Sequence, residues 1–206
     1  GDWSSDVCSS DLASKDGITI GKRYFKHENN KEDYPFSPSG HNLYDNNSKL
    51  YYCRDFDNIV YQIHEDSVVP RFRINLPNPL PASMIEERPN EMSLLRSGYS
   101  LGITDIYEYG GLLFFRFVKD GYIWSCLYNV EESKQVYCAK RIKFLDSSLI
   151  DTIDGIYKDC FYSILTPEYL DYAFSENPLE DYPDLFKTYD VEGDNPVIAF
   201  YRAVVR

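Results

Sequence analysis

Leu50-Tyr51-Tyr52-Cys53-Arg54 runs into Asp57-Asn58 and returns as Ile59-Val60-Tyr61-Gln62-Ile63. Two β-favouring runs around an Asp-Asn turn read as a hairpin, because these turn residues accept the left-handed backbone that a tight reversal demands. His64-Glu65-Asp66-Ser67 makes another turn, and residues 68–76 alternate as the next strand. The pattern then returns. Leu113, Phe114, Phe115, Asp120, Gly121, Tyr122 and Ile123 lie 63 residues after Leu50, Tyr51, Tyr52, Asp57, Asn58, Ile59 and Val60. A fainter third copy runs from Gly155-Ile156-Tyr157 to Ile164-Leu165. Recurrent units of aromatic strand, polar turn and β-branched strand are the sequence mark of a repeated four-stranded meander.

Working outward, residues 42–44 read as a short strand before the first meander and residues 17–25 as an earlier one. Between them a polar stretch, 27–33, with Pro35 and Pro38 breaks the pattern. Pro77, Pro79, Pro81 and Pro89 preclude a continuous strand over 77–96, which reads as a connection with helical turns at 82–87 and 91–96. The second meander takes strands at 101–108, 112–117, 122–128 and 135–144. Beyond the third copy, 167–175 opens with Pro and an acid as helix N-termini do, and 182–189 suggests a second short helix. Val197-Ile198-Ala199-Phe200-Tyr201 is a continuous apolar run, hence a buried strand.

Composition bounds the function classes. The chain has 206 residues, 43% hydrophobic and 16% aromatic, enough for a sizeable core. No run approaches the ~18 apolar residues of a membrane-spanning helix. With 33 acidic against 21 basic residues the net charge is −12, which argues against a nucleic-acid backbone as partner. Residues 1–12, Gly1 to Leu12, need separate treatment. All twelve back-translate in one frame onto DNA resembling a common short-read sequencing adaptor, so they are expected to be a scar fused to a truncated metagenomic gene, and residues 13–206 the native part. That division leaves 30 acids against 21 bases, a net of −9, and removes Cys8 from the cysteine count.

Three stretches together resemble the six-bladed β-propeller proteins abundant in gut bacteria. They are residues 50–63 with 71–74, the strand pair 106–117 (IYEYGGLLFFRF), and Asp194-Asn195-Pro196-Val197-Ile198. The similarity spans roughly residues 35–206. It implies an all-β fold, a partial six-bladed β-propeller forming the C-terminal half of a protein about twice this length. About three blades of four-stranded antiparallel meanders are expected, roughly at 41–76, 99–144 and 149–203, with short helices in the connections. The strand pattern alone leaves a β-sandwich open. Half a ring would expose blade faces, so the fragment is expected to self-associate through them. The resemblance further implies a periplasmic, cell-surface lipoprotein or extracellular location.

No motif names a chemistry. His27, His41 and His64 show no metal-ligand spacing, so no metal site is assigned and surface or turn roles are preferred. No Cys-x-x-Cys occurs. If Tyr128 pairs with Val136, Cys126 falls opposite Cys138, and a cross-strand disulfide can form in an oxidising compartment; buried free thiols are the competing reading, and the default for Cys53 and Cys160. Glu86-Glu87, Glu131-Glu132 and Asp55/Asp57 are local acid clusters. Asp55-Phe56-Asp57-Asn58 begins like a calcium loop but lacks the Gly and the later Glu, so turn chemistry is the better account. Glu108 is the acid best matched to the family pattern, and a structural role suits it. The aromatics could stack sugars, although filling the space between blades is the commoner use.

No catalytic residue, binding residue or cofactor is therefore assigned. The expected function is a non-enzymatic binding or scaffold module of the bacterial envelope, its ligand a glycan or a protein. A polysaccharide-active hydrolase or lyase with its site in the propeller channel is the enzyme alternative. A truncated fragment without activity of its own is the third reading.

Overall fold

The computed structural model describes residues 11–13, 20–23, 38, 42–87, 89–140, 142–144, 147–150, 153–176, 186, 188–190, 192–193 and 195–202. A ribbon of β1 (Asp11–Ala13) and β2 (Ile20–Arg23) comes first. The first large sheet is the meander β3 (Leu43–Asn46), β4 (Lys49–Cys53), β5 (Ile59–Ile63) and β6 (Val68–Arg73). Pro70 is tolerated because β6 is the sheet's last strand and Pro70 sits at a register shift opposite Tyr61. The connection carries α1 (Ala82–Glu86) and α2 (Glu91–Leu95). Asn90 caps α2 by accepting the Ser93 N–H at 2.9 Å, and Glu91 sits in its first turn.

The second sheet is the meander β7 (Ser100–Tyr109), β8 (Leu112–Lys119), β9 (Tyr122–Asn129) and β10 (Lys134–Ala139). Its β8–β9 reversal has Asp120 and Gly121 at φ 54° and 72°, the paired left-handed residues of a two-residue hairpin turn. A ribbon of β11 (Ile142–Phe144) and β12 (Ser147–Ile150) follows. The third sheet joins β13 (Gly155–Tyr157), β14 (Cys160–Leu165) and, after α3 (Pro167–Glu176), β15 (Val197–Tyr201).

The second sheet packs against both of the others. Nearly every residue of β7 and β8 is buried, on both faces, which is why these strands read as continuous apolar runs rather than alternating ones. On one side Tyr51 and Asn46 of the first sheet meet Glu108. On the other, Phe114 packs on Phe161 of the third sheet at 6.5 Å, and Tyr107 donates to the Asp154 carbonyl at 3.0 Å. The first strands β3, β7 and β13 touch one another pairwise, so the three sheets meet along these strands.

Several expectations need correction. The expected partial six-bladed propeller is not found among the described residues. The described residues make antiparallel sheets of four, four and three strands with two separate ribbons, and no closed ring of blades is among them. The recurrence of strand and turn specifies the meander inside each sheet; it does not specify how many sheets stack or how the stack ends. The strand expected over 135–144 is broken, since β10 ends at Ala139 and residues 142–144 pair instead with β12. The turn read at Asp57-Asn58 is a longer connection, with Phe56 at φ 60° and Asp57 Oδ1 accepting the Asn58 and Ile59 N–H groups at 2.7 and 3.1 Å. Residues 1–10 of the adaptor-like opening and most of the helix expected over 182–189 lie outside the described residues. Among the described residues no helix is long and apolar enough to cross a membrane.

Candidate functional site

Two features stand out, one on the seam between the first and second sheets and one outside it. The first is centred on Glu108, near the end of β7, whose side chain is 9% exposed. Its Oε2 accepts from the Tyr51 hydroxyl and from Lys49 Nζ at 3.1 Å, and its Oε1 from Arg71 Nη2 at 3.0 Å. Its backbone N–H donates to Asn46 Oδ1 at 2.6 Å, while Asn46 Nδ2 donates to the carbonyls of Tyr44 and Ile106 at 3.2 and 3.3 Å. Burial pushes the Glu108 pKa up, but the hydrogen bonds from Tyr51, Lys49 and Arg71 and the Lys49 charge outweigh it and hold the carboxyl below its usual range. Burial, then the bond to Glu108 and its charge, pushes the Tyr51 phenol far above its own range. A carboxylate so held is a poor proton donor at neutral pH. Its chemistry is to fasten β4 and β6 to β7.

The second feature is a cleft of about 530 Å³ outside this seam. Its floor is the face of the second sheet carrying Phe115, Phe117, Trp124 and the disulfide; its opposite wall is the segment from Ile74 to Pro77 that follows β6. Hairpin register places Phe117 opposite Trp124, and the rings stack at 6.2 Å with planes 11° apart. Lys140 Nζ lies 3.4 Å from the Tyr122 ring centroid and 5.8 Å from that of Trp124. The Trp124 indole N–H is buried without a hydrogen-bond partner. Asn75, Lys119 and Gln135 bring polar groups to the same cleft. Its volume lies within the range of small-molecule sites, and its lining is mostly apolar with a few polar groups.

Cys126 and Cys138 are bonded to each other, with Cα atoms 4.0 Å apart. The route to this pairing differs from the expected register. Tyr128 stands opposite Gln135 rather than Val136, and a shift between Gln135 and Tyr137 restores Cys138 opposite Cys126. Cys53 is a buried free thiol whose pKa is raised by burial, then by the charges of Asp57 and Asp105.

A smaller cavity of about 250 Å³ lies where the first strands meet, with Asp45, Tyr107, Asp154 and Tyr162 among its lining. Asp154 Oδ2 is used locally, accepting the Ile164 N–H at 2.7 Å. Nearby in the core, Arg116 Nε meets Asp105 Oδ2 at 2.7 Å, both largely buried.

Of the residues weighed from sequence, His64 sits in the β5–β6 turn, where its N–H donates to the Ser67 carbonyl at 2.8 Å. His27 and His41 lie outside the described residues. Glu87, Glu131 and Glu132 are exposed in loops, and Glu86 ends α1. Among the described residues no three His, Cys, Asp or Glu side chains group as a metal site would require. The sequence reading missed the cleft. The Phe117–Trp124 pair was recoverable by folding the strands about Asp120-Gly121, but the wall from Ile74 to Pro77 is brought there only by the stacking of two sheets.

No family model and no curated protein matches the chain. Among solved structures it is similar to a Bacteroides fragilis NCTC 9343 protein described as a "putative exported protein", with a TM-score of 0.59 and 16% identity. The similarity covers 80% of this chain and 50% of that one, so the chain spans about half the length of its structural neighbour, and at this identity the likeness is one of fold alone.

Proposed function

We propose that the chain is a non-enzymatic binding module that works outside the cytoplasm, and that the Trp124 cleft binds a glycan. The cleft is the observation that carries this reading. Trp124, backed by the buried ring of Phe117, offers an apolar surface of the kind that takes the C–H face of a sugar ring, and the Asn75 and Gln135 amides and Lys119 supply donors and acceptors for hydroxyls. The Cys126–Cys138 bond fits an oxidising compartment, and the exported description of the structural neighbour points the same way. Glu108, committed to three partners and held ionised, does not offer the proton-donating acid that glycoside hydrolysis needs.

Titration calorimetry against a panel of bacterial and host oligosaccharides tests the proposal, with product analysis by chromatography alongside. Binding without turnover is expected, weakened at least about tenfold by Trp124→Ala while the thermal transition is retained. Cleavage of a glycan, or binding indifferent to Trp124→Ala and Gln135→Ala, would refute it.

A further inference from the structure

Among the described residues, one face of the third sheet is covered and the other is bare. Alternation along its strands sends Phe161, Ser163 and Leu165 of β14 into the core. The opposite face carries Tyr162 beside Phe200 and Ile164 beside Ile198, directly paired across β14 and β15, with Tyr157 at the adjoining end of β13. Four of these five are half exposed: Tyr157 53%, Ile164 48%, Ile198 55% and Phe200 54%. The rings are gathered rather than scattered, with Phe200 5.9 Å from Tyr157 and 6.4 Å from Tyr162.

The area is informative. Half of a large apolar side chain is about 100 Å², so four of them present about 400 Å² on one flat sheet. A standard interface buries about 800 Å² per partner, a little over half of it apolar. This patch therefore supplies essentially the whole apolar core of one side of such an interface. Its charge points to the occupant. The chain as a whole carries −12, so a second copy is repelled wherever carboxylates face it. None of the five patch positions is charged, and the charges at its rim, in the β13–β14 turn and just past β15, are mixed: Lys158, and Asp159 bonded to Arg202 at 2.6 Å. A like-charged copy can approach here without the penalty it meets elsewhere.

We propose that this face docks a second copy of the chain, the two third sheets packing face to face about a two-fold axis. A patch that covers itself gives a closed dimer, and two aromatic-rich sheet faces stack at the ~10 Å spacing of a sandwich.

Sedimentation velocity of the full chain over a wide dilution series tests the proposal. A reversible monomer–dimer equilibrium is expected, with Phe200→Asp and Ile164→Lys each weakening it at least about tenfold. Met92→Asp, on α2 and exposed, leaves it unchanged. A monomer at every concentration, a dimer unaffected by both face substitutions, or growth beyond the dimer each overturns the proposal.

Discussion

The Tyr51 hydroxyl donates its proton to the Glu108 carboxylate, joining β4 of the first sheet to β7 of the second across 57 residues of sequence. Lys49 of β4 itself and Arg71 of β6 close on the same carboxylate. Four side chains, three from two strands of one sheet and one from the next, thus meet at a single carboxylate, and the seam depends on it.

Glu108→Gln should lower stability by about 2 kcal/mol at neutral pH, the scale of hydrogen bonds to a charged group, measured by urea unfolding. The pH dependence has a definite sign. The folded-state pKa of Glu108 is depressed, so its contribution is complete above the unfolded value of about 4.3 and is lost as pH falls through the folded value. The gap between wild type and Glu108→Gln should therefore narrow in acid. A gap constant from neutral pH to the acid limit would contradict this account.

The disulfide joins residues 12 apart, a short loop for which chain-entropy reasoning gives about 3 kcal/mol. Cys138→Ser should lower the transition by that order, and wild type in excess reductant should melt alongside it. Cys53 should resist alkylation in the folded protein and react on unfolding, because it is buried and its thiolate is disfavoured. Mass spectrometry of pulse-labelled protein reads both.

Gly102 and Gly110 separate two roles of glycine. Gly102 lies in β7 at φ +97°, where a Cβ would stand 2.8 Å from the Phe56 Cα and 2.9 Å from its backbone nitrogen. Backbone cannot rotate away, so Gly102→Ala should destabilise by about 3 kcal/mol or more. Gly110 has φ +58° with nothing within 4 Å of a Cβ, and Gly110→Ala should cost only the left-handed backbone penalty, about 1 kcal/mol. Equal effects in thermal unfolding would show that steric approach is not what holds Gly102.

Arg116 and Asp105 form a pair with side chains 14% and 8% exposed. Removing one partner leaves a buried charge, so Asp105→Asn or Arg116→Met alone should cost about 3–5 kcal/mol. The double variant should recover much of that loss. A double-mutant cycle that is simply additive would show the two groups to be independent.

Much of the local structure was readable in advance. The alternation around Leu50–Ile63 and its echo at Leu113–Ile123 marked antiparallel strands, and Asp120-Gly121 does form the left-handed turn that its composition demands. Cys126 was placed opposite Cys138, although by a register one residue away from the one the strands adopt at Tyr128. A bulge is nearly silent in sequence, because one extra residue changes no hydrophobic pattern strongly enough to be seen. The break after Ala139 was equally hidden, since Ile142 and Phe144 are as strand-forming as the residues before them.

The sequence by itself determined the all-β character, the meanders and most of their turns, because each rests on backbone pairing between residues close in the chain. The tertiary structure alone decided how the sheets of the described residues pack, with no closed ring among them, that Glu108 is shared by Tyr51, Lys49 and Arg71, and that Ile74 to Pro77 walls a cleft over Trp124. It also decided that one face of β14 and β15 stays bare. These depend on which apolar faces bury one another. Burial is non-directional, and a strand's alternation says that it has a face to cover but not what will cover it.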